Sequence, residues 1–263
     1  MFLIFLPDKN SGSFLPFLFF LYLMHAMSDK IFFITGIDTN IGKTFVSLLL
    51  LLAFKQRGLK AGYMKPVETG VEINEGGAKN YLDGAYVKKY GGLKEEPDII
   101  TPYTFKSPLS PYAALKKESG DLCIKEILFK FYELNKIYDY MLVEGAGGML
   151  VPLKKKHFMI DIAKYIDAGI ILVTKAGLGM INQTLLNIEY AKSNDIKISG
   201  IIINNVFNEN DQSISSNKEM LGEFTEVPII GDIPYLPDGC RPENINILNA
   251  LASKYIDLEK ILL

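Results

Sequence analysis

What most constrains this chain is a short apolar run, a glycine-opened loop and a helix without a polar face, in immediate succession. Residues 31–35 (IFFIT) read as a strand, 36–44 (GIDTNIGKT) as a loop, and 45–57 (FVSLLLLLAFKQR) as a helix stopped by Gly58. A helix that is apolar nearly all round is a buried one. Downstream, apolar runs and helical stretches keep alternating, which is the pattern of parallel strands joined by crossover helices. Strands are expected at 61–65 (AGYMK), 140–143 (YMLV), 169–174 (GIILVT), 198–203 (ISGIII) and 227–230 (VPII). Helices are expected at 83–90, 122–135 and 182–192, a proline-punctuated loop at 97–111, and a polar loop starting at Asn208. No repeat or Pro/Gly/Ser linker divides the chain. The reading is one α/β domain, a mostly parallel central sheet flanked by helices.

The loop itself points to a phosphate. A strand that ends in a glycine-rich turn and leads into a helix aims several backbone N–H groups and the helix N-terminus at one spot. Lys43 would then reach the β- and γ-phosphates and the Thr44 hydroxyl a Mg²⁺ ion. Gly42 stands six positions after Gly36, one more than the five of G-x-x-x-x-G-K-[ST].

Composition narrows the alternatives. The 263 residues are 49% hydrophobic and 22% charged, ordinary for a globular protein, and the net charge of −2 leaves no basic footprint for nucleic acid. Cys123 and Cys240 are far apart and lack metal-site spacing, so buried free thiols are expected, in a reducing compartment. The first 26 residues differ from the rest: the apolar run 14–24 (FLPFLFFLYLM) is short for a membrane span, and residues 1–7 lack the positive charge of a signal peptide. Met27 opens MSDKIFFITG, so translation is expected to begin there, a cleaved or peripheral membrane segment being the alternative, with residues 27–263 forming the working domain.

In an open parallel sheet, ligands collect at the carboxyl ends of the strands, and four polar clusters fall there: GIDTNIGKT, KPVETG (65–70), EGAGG (144–148) and Asn204–Asn205. Lys65 precedes proline, which keeps it extended at a strand end. It is either a solvated surface lysine or a cation clamping a charged substrate and the transferring phosphate. Thr69 is a turn residue or a hydroxyl donor to the same substrate. Glu144 follows the central strand where a nucleotide hydrolase places a metal-binding carboxylate. With Thr44 and Asp83 it could supply the few oxygens that Mg²⁺ takes from protein; otherwise Glu144 is an ordinary strand-end carboxylate and Asp83 an exposed helix residue. Glycines 145, 147 and 148 allow close backbone approach. His25 and His157 carry no pattern, and His157 is expected in a solvated loop after three lysines.

Taken in order, GIDTNIGKT, KPVETG, PYTFKSPLSP, VEGAGGMLVP, GMINQTLLN, GIIINN and GDIPYLP resemble the dethiobiotin synthetase family from about Ile31 to the C-terminus. That family's phosphate loop carries the same extra residue. The resemblance implies a P-loop NTPase-like three-layer fold and a cytoplasmic, Mg²⁺-dependent cyclo-ligase of biotin synthesis. Such an enzyme converts 7,8-diaminopelargonate, CO₂ and ATP into dethiobiotin, ADP and phosphate. It implies catalytic roles for Lys65 and Lys43, a metal site at Thr44, Asp83 and Glu144, and substrate contacts from Thr39, Lys65, Thr69 and Asn182. The ATP site it implies comprises Asn40, Ile41, Gly42, Lys43, Thr44, Phe45, Asp83, Glu144, Gly145, Ala146 and Gly147. On the adenine side it adds Asn204, Asn205, Pro234, Tyr235, Leu236 and Glu243. The family works as a homodimer with the substrate site at the interface, so Asn182 would come from the second subunit. Departures are Thr69 where serine is common, the insert 238–241 (DGCR) near the adenine, and the leader.

Two other readings share the phosphate loop. A cobyrinate-type amide synthase would carry a glutaminase domain with a nucleophilic cysteine, and the chain is too short for one. A partitioning or positioning ATPase would carry a lysine early in the loop (KGGxGK), and GIDTNIGK has none there.

Overall fold

The computed structural model describes residues 30–73, 79–80, 82–206, 213–236 and 242–262. The leader 1–26, the expected start at Met27, His25, Cys240 and the insert 238–241 lie outside the described residues.

Strands β1 (Ile31–Gly36), β2 (Ala61–Met64), β7 (Tyr140–Glu144), β10 (Gly169–Lys175), β11 (Ile198–Asn204) and β12 (Ile229–Ile233) form one sheet in the order β12-β11-β10-β1-β7-β2. Every neighbouring pair is parallel. β1 therefore lies inside the sheet between β7 and β10, and the loop leaving it emerges at the centre of the carboxyl edge.

The period-two alternation of each strand divides the core. Phe32, Ile34, Leu142, Ile171, Val173 and Ile202 pack on one face against the Lys43–Gln56 helix, which the Asp83–Gly91 and Ile245–Tyr255 helices flank. Phe33, Met141, Val143, Ile170 and Leu172 pack on the other face with the Ile124–Asn135 and Met159–Tyr165 helices. Met180–Lys192 and Ser213–Phe224 pack together near β10 and β11. The result is three layers. The helix after the loop needs no polar face because its residues from Lys43 to Phe54 are all buried. Each of its leucines, moved out of water, contributes roughly 1.5–3 kcal/mol.

Smaller pairings hold the loops at the carboxyl edge. β3 (Val67–Thr69) pairs in parallel with β6 (Tyr103–Phe105), β4 (Glu72–Ile73) antiparallel with β5 (Lys79–Asn80), and β8 (Pro152–Lys154) antiparallel with β9 (His157–Phe158).

The structure departs from the sequence reading at four places. The 97–111 stretch is not loop throughout: it contains the Pro97–Ile100 helix and β6, because its backbone pairs with residues 65–69. The last strand runs from Ile229 to Ile233 rather than 227–230, since its register with β11 begins with Ile229 opposite Ile201, whose N–H bonds the Pro228 carbonyl. His157 sits in the β8–β9 hairpin, with Nδ1 3.8 Å from Asp161 Oδ2. Cys123 is free but exposed, at the N-cap of the Ile124–Asn135 helix. Among the described residues no helix is long and apolar enough to cross a membrane.

Candidate functional site

Three hydrogen-bond donors converge on Glu144, which ends β7 with its side chain wholly buried. Thr44 Oγ1 donates to Oε1 at 2.8 Å, the Tyr63 hydroxyl donates to Oε2 at 2.7 Å, and Lys65 Nζ donates to Oε1 at 2.5 Å. Lys65 Nζ also donates to Asp83 Oδ2 at 2.8 Å. Strand register accounts for the meeting: Tyr63 lies opposite Leu142, and Glu144, two residues on, faces the same side of the sheet. Lys65 leaves the end of β2 with its N–H bonded to the Ile100 carbonyl, while Pro66 accepts from the Tyr103 N–H. The proline-held segment is thus docked rather than solvated, and the Lys65 side chain is buried.

The loop supplies the second half. Asn40 (φ 55°) and Gly42 (φ 78°) adopt left-handed backbone conformations, and Gly42 precedes the first residue of the Lys43–Gln56 helix. A Cβ on Gly42 would stand 2.3 Å from Asn204 Nδ2, so only glycine fits. That amide nitrogen donates to the Ile41 carbonyl at 2.9 Å and ties the loop to the end of β11. Lys43 Nζ donates to the Asp38 carbonyl at 2.8 Å within the loop.

Burial and charge set the site's ionisation. The Lys43 ammonium is lowered to about 8, first by burial and then by the charge of Lys65. Burial alone would lower Lys65 as well, but the charges and hydrogen bonds of Asp83 and Glu144 outweigh it and hold Lys65 well above the ordinary lysine value. The Tyr63 hydroxyl is pushed up by burial and by the Glu144 charge, so it donates to Glu144 as a neutral phenol.

Lys43, Thr44, Lys65, Asp83 and Glu144 line one cavity of about 350 Å³. It brings together Thr39, Asn40, Gly42, Lys43, Thr44, Phe45, Lys65, Thr69, Asp83, Glu144, Ala146 and Gly147 from the sequence reading, and adds Val67. The other expected residues lie outside its wall. Ile41 is buried beneath the loop, and the Gly145 N–H is committed to the Ile34 carbonyl. Asn204 is buried on Ile41, while Asn205 and Pro234 line a separate cavity of about 270 Å³. Tyr235 follows Pro234, Leu236 packs against the core, and Glu243 is exposed. Asn182 is exposed in the first turn of the Met180–Lys192 helix. Thr39 also borders a more apolar cavity of about 440 Å³ with Leu150, Leu186 and Tyr190.

The donor set suits a hard cation. Thr44 bonds Glu144, and Asp83 and Glu144 both pair with Lys65, so one hydroxyl and two carboxylates stand together, the all-oxygen chemistry of Mg²⁺. Among the described residues no three His, Cys, Asp or Glu side chains gather as a metal site.

A family model described as an AAA domain matches residues 30–243. An ATP-dependent dethiobiotin synthetase of Thermodesulfovibrio yellowstonii is 38% identical over 241 residues, 88% of this chain and 98% of its own length. The chain belongs to the dethiobiotin synthetase family. Relatives with the same name from Methanococcus vannielii (35% identical; 87% of this chain, 98% of its own) and Aquifex aeolicus (39%; 79% and 92%) agree. Among solved structures, the septum site-determining protein MinD of Pyrococcus horikoshii, complexed with Mg-ADP, aligns with a TM-score of 0.51 at 18% identity. It covers 86% of this chain and 95% of that one, and shares the fold.

Two residues of this site were not legible in the sequence. Tyr63 is an aromatic in an apolar strand, and only the β2–β7 pairing shows what its hydroxyl meets. Glu68 lies inside KPVETG between two chosen residues, and its partners come from fourteen to sixteen positions away. The available signal was the alternation that sets Glu68 on the opposite face of an extended segment from Val67 and Thr69.

Proposed function

We propose that this chain closes the ureido ring of dethiobiotin from 7,8-diaminopelargonate and CO₂ at the expense of ATP, releasing ADP and phosphate. The observation that carries the reading is Lys65, buried between Asp83 and Glu144 in the same cavity as the phosphate loop. A cation so placed meets negative charge on both a substrate and a γ-phosphate.

One substrate amine takes up CO₂ and loses a proton to become a carbamate. A carbamate oxygen attacks the γ-phosphorus, the bond to ADP breaks, and a carbamic–phosphoric anhydride forms. The second amine adds to the carbamoyl carbon and loses a proton, and phosphate departs with the oxygen that joined it. Phosphoryl transfer asks for alignment and charge neutralisation more than covalent help. Lys43 serves the β- and γ-phosphates, and Lys65 serves the carbamate and the γ-phosphate. The loop N–H groups and the Lys43–Gln56 helix N-terminus cradle the phosphates. Mg²⁺, held through Thr44, Asp83 and Glu144, would neutralise phosphate charge. Thr39 and Thr69 bind the diamine, and its aliphatic chain lies toward Leu150 and Leu186, where the wall is apolar. Asn40, Phe45, Ala146 and Gly147 complete the phosphate side, and Asn204, Asn205, residues 234–236 and Glu243 frame the adenine. A cytoplasmic homodimer would add Asn182 of the partner subunit, and residues 27–263 act as one catalytic domain.

ADP release assayed with and without diaminopelargonate and bicarbonate tests the reading. Release that requires both is expected, whereas release indifferent to the diamine refutes it and favours a switch ATPase.

A further inference from the structure

We propose that Glu68 is a positioning residue that aims the Asp83 carboxylate at the site, by clamping the first turn of the Asp83 helix to the strand that follows Lys65. The inference rests on the reading of Asp83 and Lys65 given above.

Glu68 is 2% exposed, in the middle of β3. Its neighbours Val67 and Thr69 line the cavity and Glu68 does not, as period-two alternation requires. On the far side, Glu68 Oε1 accepts the N–H groups of Leu82 at 2.6 Å and Asp83 at 2.8 Å, and Oε2 accepts that of Gly84 at 3.1 Å. The first N–H groups of a helix lack intrahelical partners and carry its positive dipole end. Leu82 makes no side-chain cap at the start of the Asp83–Gly91 helix, so a carboxylate from another element does that work. Such charge-assisted bonds are among the strong ones.

The geometry transmits position. β3 is fixed by its pairing with β6, Val67 against Tyr103 and Thr69 against Phe105. The helix start is pressed onto the same region, where a Cβ on Gly84 would stand 2.3 Å from Thr101 Oγ1. Between Thr69 and Leu82 the chain leaves for the β4–β5 pairing and returns, and Glu68 closes the base of that excursion. The Asp83 main chain is therefore held relative to Lys65. Glu68 touches neither reactant, so it acts through Asp83.

Five proteins test this: wild type, Glu68→Ala, Asp83→Ala, the double variant, and Glu68→Gln as a conservative control. In Glu68→Ala the Asp83 and Gly84 amides should exchange at least about tenfold faster than in wild type, with the Lys43–Gln56 helix unchanged. Glu68→Gln, which keeps one acceptor oxygen, should fall between. In diamine-dependent ADP release each single variant should lose about tenfold or more in kcat, and the double variant should be within about twofold of Asp83→Ala. Unchanged exchange at Asp83 and Gly84, or effects that multiply in the double variant, would overturn the assignment. If wild type itself shows no diamine-dependent turnover, the functional reading falls, and the exchange rates alone decide whether Glu68 holds Asp83.

Discussion

Replacing Lys65 by methionine keeps the buried stem and removes one positive charge from between two carboxylates. Glu144 is then left with the Thr44 and Tyr63 hydroxyls as donors but no cation, at zero exposure. Removing one partner of a buried ion pair costs about 3–5 kcal/mol, which for a chain of this size lowers the melting temperature by roughly 6–20 °C. The loss arises from an unpaired charge, so adding Glu144→Gln should restore most of it, since the amide is neutral and still accepts one hydrogen bond. Catalysis should fall for a separate reason. A cation that meets charge moving in the transition state is worth about 10²–10³ in kcat, or about 3–4 kcal/mol. ATP affinity should stay within a few-fold, because Lys43 and the loop amides still hold the phosphates. Thermal unfolding of the single and double variants, and single-turnover ADP release at a temperature where Lys65→Met is folded, read the two effects apart. Near-normal turnover in Lys65→Met would refute the catalytic role, and a double variant no more stable than Lys65→Met would refute the electrostatic reasoning.

Other consequences follow from neighbouring groups. Tyr63→Phe removes a buried donor to Glu144 and should cost about 1–3 kcal/mol of stability in urea unfolding; a loss under about 0.5 kcal/mol would mean that the hydroxyl holds nothing. Gly42→Ala forces a Cβ into Asn204 at a left-handed backbone position, so the Km for ATP should rise at least about tenfold, and unchanged nucleotide binding contradicts this. Lys43, lowered to about 8 against an ordinary 10.5, is charged inside the fold below pH 8 at a cost of about 3 kcal/mol. Between those two values the unfolded chain holds more protons than the folded one, so this group makes stability rise with pH from about 8 to 10.5 and leaves it flat below. Phosphate contact should return the proton, giving uptake of about half a proton on MgATP binding at pH 8. Binding heats that are identical in buffers of different ionisation enthalpy would rule the uptake out.

The parts of the fold and site that could be read from sequence are those whose determinants are contiguous. The loop, its lysine and threonine, and the buried helix lie within residues 36–57, and the strand ends carrying Lys65 and Glu144 were marked by proline and glycine beside apolar runs. What escaped depends on partners distant in the chain. Tyr63 meets Glu144 across 81 positions. The 103–105 strand exists because residues 67–69 offer it a ladder. The last strand slipped toward Ile233 because pairing with β11, rather than local apolarity, sets its limits. Glu68 carries no pattern of its own within KPVETG, because its three hydrogen-bond partners lie fourteen to sixteen positions away.

Oxygen-labelled bicarbonate gives the most direct test of ring closure through a phosphorylated carbamate at this site. With ¹⁸O-bicarbonate, diaminopelargonate and ATP, at times short relative to exchange with water, mass spectrometry should find one ¹⁸O atom in each phosphate released. Dethiobiotin formed together with unlabelled phosphate would contradict it.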